Sequence, residues 1–178
     1  MRMTADEIVQ QFNAVFAQVE QTQLIAQGAE PLYIPAGFAV QTELQQWGVM
    51  PYHRIIFRAD YPSSALHEIA HWCIAGPQRR QLLDYGYWYQ PEGREVSAQQ
   101  LFEQVEVKPQ ALEWIFSQAV GLRFQVSVDN LSLNFEYDSS AFQASVSEQK
   151  QRYLLEGLPL RAQIFLQALN KNKKQLTI

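Results

Sequence analysis

Apolar and polar positions recur along the chain with two different periods, and the switches between them mark its elements. Thr4 and Glu7 stand three apart just before an apolar series, which is the arrangement of a capping box. Ile8, Val9, Phe12, Val15, Phe16 and Val19 follow at helical spacing, predicting an amphipathic first helix that ends near Gly28. Proline and glycine punctuate the stretch from EPLYIPAG to MPY, in which Tyr33-Ile34 and Arg54-Ile55-Ile56-Phe57 read as short strands. Ser63 or Ser64 can cap the next helix, and Gly76-Pro77 ends it. Pro77 suits the first turn of a short helix over 79–83. Ser97 and Gln100 form a second capping box, from which AQQLFEQVEVKPQALEWIFSQAVG reads as one long helix or two abutting ones. Pro109 is its kink or restart, and Gly121 its stop. FQVSV, residues 124–128, alternates like a strand. Gly157 and Pro159 divide the remainder into helices over about 139–156 and 159–170, before a basic tail, KNKKQLTI.

Helices therefore dominate, and the few short strands do not alternate regularly with them. This predicts an α+β class: a helix-rich single domain spanning 1–178 with a small sheet. Repeats, low-complexity tracts and linkers are not seen in the sequence. Hydrophobic residues make up 47% and aromatics 12%, which suits a packed core. A formal net charge of -4 gives no general attraction to nucleic acid or anionic membrane. The only cysteine is Cys73, so a disulfide framework is excluded. The N-terminus lacks an unbroken apolar signal region, and no run approaches the roughly 18 apolar residues of a membrane span. Together these features predict a soluble cytoplasmic protein.

The stretch SALHEIAHWCIAG contains His67, Glu68 and His71 in the pattern H-E-x-x-H. Residues four apart lie on one helical face, so His67 and His71 can both reach one metal ion. Ser64, Glu68 and Ala75 share that side, whereas Ala65, Ile69, Trp72 and Cys73 face the other way and are expected to bury. Cys73 reads as a small buried hydrophobe. In metalloproteases the glutamate of this motif is the general base for the metal-bound water. Two histidines alone rarely hold a metal. A third ligand can come from His53 in a strand-like segment or from an acidic residue. Glu106 stands 35 positions after His71 on a predicted helix, like the second-helix glutamate of one zinc-protease class. Glu103 and Glu113 lie on nearly the same face and stay open as alternatives, and all three also fit a solvated acidic stripe. Two histidines and one carboxylate serve catalytic zinc and non-heme Fe(II) oxygenases alike.

The segments PYHRIIF, SALHEIAHWCIAG, DYGYWYQPEGR and VEVKPQALEW resemble the elongation factor P hydroxylase family of bacteria, in order, from about residue 31 to about 170. The resemblance implies an oxidoreductase, a protein-lysine hydroxylase acting as a non-heme metal monooxygenase. Its implied reaction is a post-translational modification in translation: hydroxylation of a lysine of elongation factor P that already carries a β-lysyl group. It implies His67, His71 and Glu106 as ligands of a divalent metal, Fe(II), with molecular oxygen as cosubstrate. Glu68 would be an acid/base residue or sit just behind the ligands, on an HExxH helix resembling zinc-protease cores. A long cationic substrate would also give a role to Asp84, through one ion pair, and to Tyr85, Tyr87, Trp88 and Tyr89, through cation–π contacts. Arg54, Arg58, Arg79, Arg80 and Arg94 cluster in sequence about these segments and offer a docking surface for an acidic partner protein. No dinucleotide fingerprint is present to name the reductant. Two rivals use the same residues: an HExxH zinc metallopeptidase with Glu68 activating water, and a non-enzymatic module with structural histidines.

Overall fold

The computed structural model describes residues 2–39, 42–84, 96–128 and 138–175. The first helix, α1 (Ala5–Phe16), begins as expected: Glu7 N–H donates to Thr4 Oγ1 at 3.3 Å, and Thr4 N–H donates to Glu7 Oε2 at 2.7 Å. Ile8, Phe12 and Phe16 form its buried face.

The helix stops at Phe16, well short of Gly28. Residues Thr22–Gly28 instead form β1, and Gln21 turns the chain into it with φ at 48°. Val19, which seemed to continue the helical stripe, is 77% exposed. Two more strands follow, β2 (Leu32–Ile34) and β3 (His53–Arg58), in the order β1-β3-β2. β3 pairs parallel to β1, with Leu24 opposite Ile55, and antiparallel to β2, with Tyr33 opposite Ile55. The outer edge of β1 is not left bare. Asn13 on α1 accepts from Leu24 N–H at 2.8 Å and donates to Leu24 C=O at 3.2 Å, taking the place of a neighbouring strand.

The motif helix, α2 (Pro62–Ile74), packs over β3. Its N-cap is Tyr61, which makes no side-chain capping bond, and Pro62 opens the first turn, so neither Ser63 nor Ser64 caps it. Ser64 Oγ accepts from Arg58 N–H at 3.0 Å instead, tying α2 to the end of β3. Ile74 is its last residue, just before Gly76-Pro77. A single turn of 3-10 helix, Arg79–Gln81, follows. α3 (Val96–Ala119) runs through Pro109 as one helix, and α4 (Ser140–Glu156) and α5 (Leu160–Gln175) complete the order. Gly157, at φ 103°, takes the chain out of α4.

FQVSV is not one of the three strands β1, β3 and β2, although its alternation is real. Phe124, Val126 and Val128 pack against Ala111, Phe142 and Val146, while the residues between them are exposed. The larger core joins α1, the sheet, α2, α3 and α5. In it Trp72 meets Phe12 and Phe16 edge-on at 5.1 and 4.8 Å. The architecture is the expected α+β: helices with a three-stranded sheet. No helix among the described residues is long and apolar enough to cross a membrane.

The end of β1 is tightly packed. A Cβ on Gly28 would lie 2.6 Å from Ile56 Cγ2 and 2.9 Å from the backbone oxygen of Glu30. Gly28→Ala should therefore cost about 1–3 kcal/mol by overpacking. A lower urea midpoint at unchanged slope is the expected result; an unchanged midpoint would show that the strand end yields freely.

Candidate metal centre

Two helices build the site. His67 and His71 project from one face of α2, with ring centroids 4.6 Å apart and Nε2 atoms 3.0 Å apart. Ala65, Leu66, Ile69, Ala70, Trp72 and Cys73 are buried, so the apolar positions fix which way the histidines point. α3 packs against α2 and brings in Glu106. Its Oε1 lies 3.3 Å from His71 Nε2, and its Oε2 lies 3.8 Å from His67 Nε2. A single ion bonded at about 2.0–2.2 Å can join donor atoms up to about 4.4 Å apart, and all three separations fall inside that span. Glu106 is 1% exposed, and its Oε1 has no hydrogen-bond partner among the described residues. A buried carboxylate whose Oε1 faces His71 Nε2 and whose Oε2 faces His67 Nε2 fits a cation held among the three.

The other candidates are placed elsewhere. Glu113 Oε2 contacts the opposite ring nitrogen of His67, Nδ1, at 2.8 Å. Glu103 lies one turn earlier on α3 and accepts from Gln99 Nε2 at 3.2 Å. His53 sits on β3, where its Nδ1 accepts from Ala36 N–H at 3.1 Å and lies 2.9 Å from Tyr33 Oη. Among the described residues the group that can hold a metal is thus His67, His71 and Glu106.

The acidic stripe on α3 is not solvated. Gln99, Glu106, Gln110, Glu113 and Ser117 are all buried, and with Glu103 they recur at alternating steps of four and three. Such a heptad-like series is normally filled with apolar residues. Here it is filled with polar ones, and the spacing is the signal by which Gln110 could have been found. Gln110 Nε2 donates to Glu106 Oε2 at 3.0 Å and to Ser127 C=O at 2.7 Å, while its Oε1 accepts from Ser127 N–H at 3.0 Å. Pro109, beside it, cannot donate to the carbonyl of Val105, yet α3 is not interrupted.

Glu68 points beside the ligand group, into a cavity of about 210 Å³ lined also by Tyr33, His71, Trp72, Asp84 and Val105. Burial raises its carboxyl pKa, and the neighbouring His67 and His71 pull it back down in part. Asp84 is fixed in the cavity wall by a two-way backbone pairing with Tyr33, at 2.6 and 3.0 Å. Its Oδ2 accepts from Arg79 Nε and Nη2 at 2.8 and 2.7 Å, and its Oδ1 is buried without a partner among the described residues. Tyr85, Tyr87, Trp88, Tyr89 and Arg94 lie outside the described residues. Arg54 is not a docking residue. It is 1% exposed, and its guanidinium donates to the carbonyls of Trp47 and Gly48. Arg80 pairs with Glu20 at 3.0 Å. Cys73 is buried away from the histidines, as expected, and burial pushes its thiol up.

A histidine pair on one helix, closed by a buried glutamate from the next, defines a candidate two-histidine, one-carboxylate metal protein in a helix-rich α+β fold. The chain belongs to the elongation factor P hydroxylase family, whose sequence pattern matches residues 11–177. It is 45% identical over 169 residues to the elongation factor P lysine hydroxylase of Haemophilus influenzae, covering 95% of this chain and 89% of that one. The protein is accordingly an enzyme, a hydroxylase, and the peptidase reading draws no support from these matches.

The charges of the site are coupled. Burial opposes the charged form of His67, but Glu106, the hydrogen bond that His67 donates to Glu113, and Glu68 outweigh it and hold the pKa up at about 10. Burial likewise opposes the charge on Glu106, but His71 and His67, with Gln110, bring it down to about 2. In metal-free protein the His67 contribution to stability is complete below its ordinary 6.5 and is lost as pH rises toward about 10. The Glu106 contribution is complete above its ordinary 4.5 and is lost as pH falls toward about 2. Melting temperatures should form a plateau between these ordinary values and decline on both sides, and Glu106→Gln should flatten both flanks. An alkaline flank that survives Glu106→Gln unchanged would contradict the coupling.

Proposed function

We propose that the chain is one domain, 1–178, that hydroxylates the β-lysylated lysine of elongation factor P in the cytoplasm, using a divalent metal held by His67, His71 and Glu106. The observation that carries this reading is the buried Glu106 carboxylate set against the His67–His71 pair beside an open cavity. Family membership supplies the reaction, and the Haemophilus relative, by its name, acts on a lysine of elongation factor P. When bound, Fe(II) supplies the one-electron and oxygen chemistry that breaking an unactivated C–H bond requires, which zinc does not.

The protein residues then bind, orient and move protons. The site has a closed side and an open one: Glu106 is 1% exposed, whereas the His67 side chain is 26% exposed. A lysine side chain enters through the cavity, where the Asp84 carboxylate in the wall is an anionic partner for its ammonium. The aromatic run after Asp84, with Tyr85, Tyr87, Trp88 and Tyr89, supplies faces for the same cation. Placing one oxygen atom of O2 in the product and the other in water takes two electrons, from a reductant, and two protons. Glu68, a carboxyl with raised pKa in the cavity wall, is placed to pass a proton there.

His67→Ala and His71→Ala should each abolish the one-oxygen gain in the mass of β-lysylated elongation factor P, and chelation of the wild-type enzyme should do the same. An undiminished gain in either variant would overturn the proposal. Glu68→Gln should retain the metal but lose about 10²–10⁴-fold in turnover. Loss of metal in parallel with turnover would instead make Glu68 a ligand.

A further inference from the structure

We infer that Glu113 is the positioning residue that makes His67 a metal ligand, by holding the proton of His67 on Nδ1; this rests on the metal-site reading above. Glu113 extends from the same stripe of α3 as Glu106, two turns further on, and is 8% exposed. Its Oε2 lies 2.8 Å from His67 Nδ1. In this arrangement the Glu113 carboxylate accepts and the imidazole N–H donates. When the ring gives up its other proton to a metal, it keeps this one on Nδ1, and Nε2 offers its lone pair. That nitrogen is the one turned toward His71 Nε2, at 3.0 Å, and toward Glu106 Oε2, at 3.8 Å.

The bond acts in two ways. It selects the tautomer that can bind a cation, and it fixes the ring about its Cβ–Cγ bond, because rotating the ring would break a charge-assisted hydrogen bond in a buried setting. α3 thereby approaches the metal site from both sides of one histidine, with Glu106 in front of the ring and Glu113 behind it. The placement also explains why Glu113 is not itself a ligand: the His67 ring stands between its carboxylate and Glu106.

The test uses the full chain, with zinc as a spectroscopically silent probe and cobalt as a visible one. In Glu113→Ala, the dissociation constant for each metal, measured by chelator competition, should rise about 10–100-fold. Glu113→Gln keeps an oxygen acceptor and should recover most of that loss, a rescue that a merely structural role would not produce. In zinc-loaded protein labelled with 15N-histidine, the wild-type His67 should show a protonated Nδ1 protected from exchange and a metal-bound Nε2. In Glu113→Ala that protection should disappear. Unchanged affinity in a folded Glu113→Ala would overturn the inference. So would a cobalt spectrum showing one ligand fewer in Glu113→Gln, since Glu113 would then be a ligand. Wild-type protein that binds neither metal would overturn the metal-site reading itself, a result distinct from both.

Discussion

One contact governs the rest of the structure: the Glu106 carboxylate, buried between α2 and α3, against the nitrogens of His67 and His71. A lone carboxylate at 1% exposure is costly, and its cost is met only by positive charge and directed donors. The stripe on α3 is therefore polar where a helix interface is ordinarily apolar. It is tolerated because its members find partners, Glu113 on His67, Gln110 on Glu106 and Gln99 on Glu103. Apolar layers on either side, built on Leu112 and Phe116 in one cluster and Ala111 in another, hold the helices in register with this polar seam.

The far end of α2 is held with equal care. Arg161 of α5 donates to the carbonyls of Trp72, at 2.8 Å, and Cys73, at 3.3 Å, and also to Ala75, and its guanidinium lies 4.7 Å above the Trp72 ring. Those carbonyls belong to the helix end that an α-helix leaves without internal donors. A cation is the favoured group at that pole of the helix dipole. The histidines thus sit on a helix fastened at its start by Pro62 and the Ser64–Arg58 bond, and at its end by Arg161. A ligand pair one turn apart keeps its geometry only if that turn does not fray.

How much of this was legible in the sequence follows from the range of each interaction. The His67–His71 pair was readable because helix geometry is local and four residues make about one turn. The capping box at Thr4 and Glu7 was readable for the same reason. Glu106 was not separable from Glu103 and Glu113 by pattern, since all three share a face; what separates them is where α2 lies across α3, a tertiary fact. The resemblance to known hydroxylases pointed to Glu106, which lies beside both histidines in a group that could hold a metal. β1 was missed because its apolar residues continued a helical count through Val19, and the turn at Gln21 leaves no glycine or proline to mark it. Arg54 was misread because arginine is seldom buried; the carbonyls of Trp47 and Gly48 that hold it lie in a loop that no periodicity describes.

The amide of Gln110 has a consequence for how this centre is wired. Asn13 closes the edge of β1 with the same two-bond grip on one residue, and there the grip ends. Gln110 has a third connection. Its nitrogen carries two protons, one spent on Ser127 and one on Glu106, while its oxygen is spent on Ser127. The amide cannot be turned over, because its oxygen would then face the carboxylate, acceptor against acceptor. It works as a rigid three-way joint. A pull on the 122–128 segment is carried through it to the Glu106 carboxylate at the candidate metal centre.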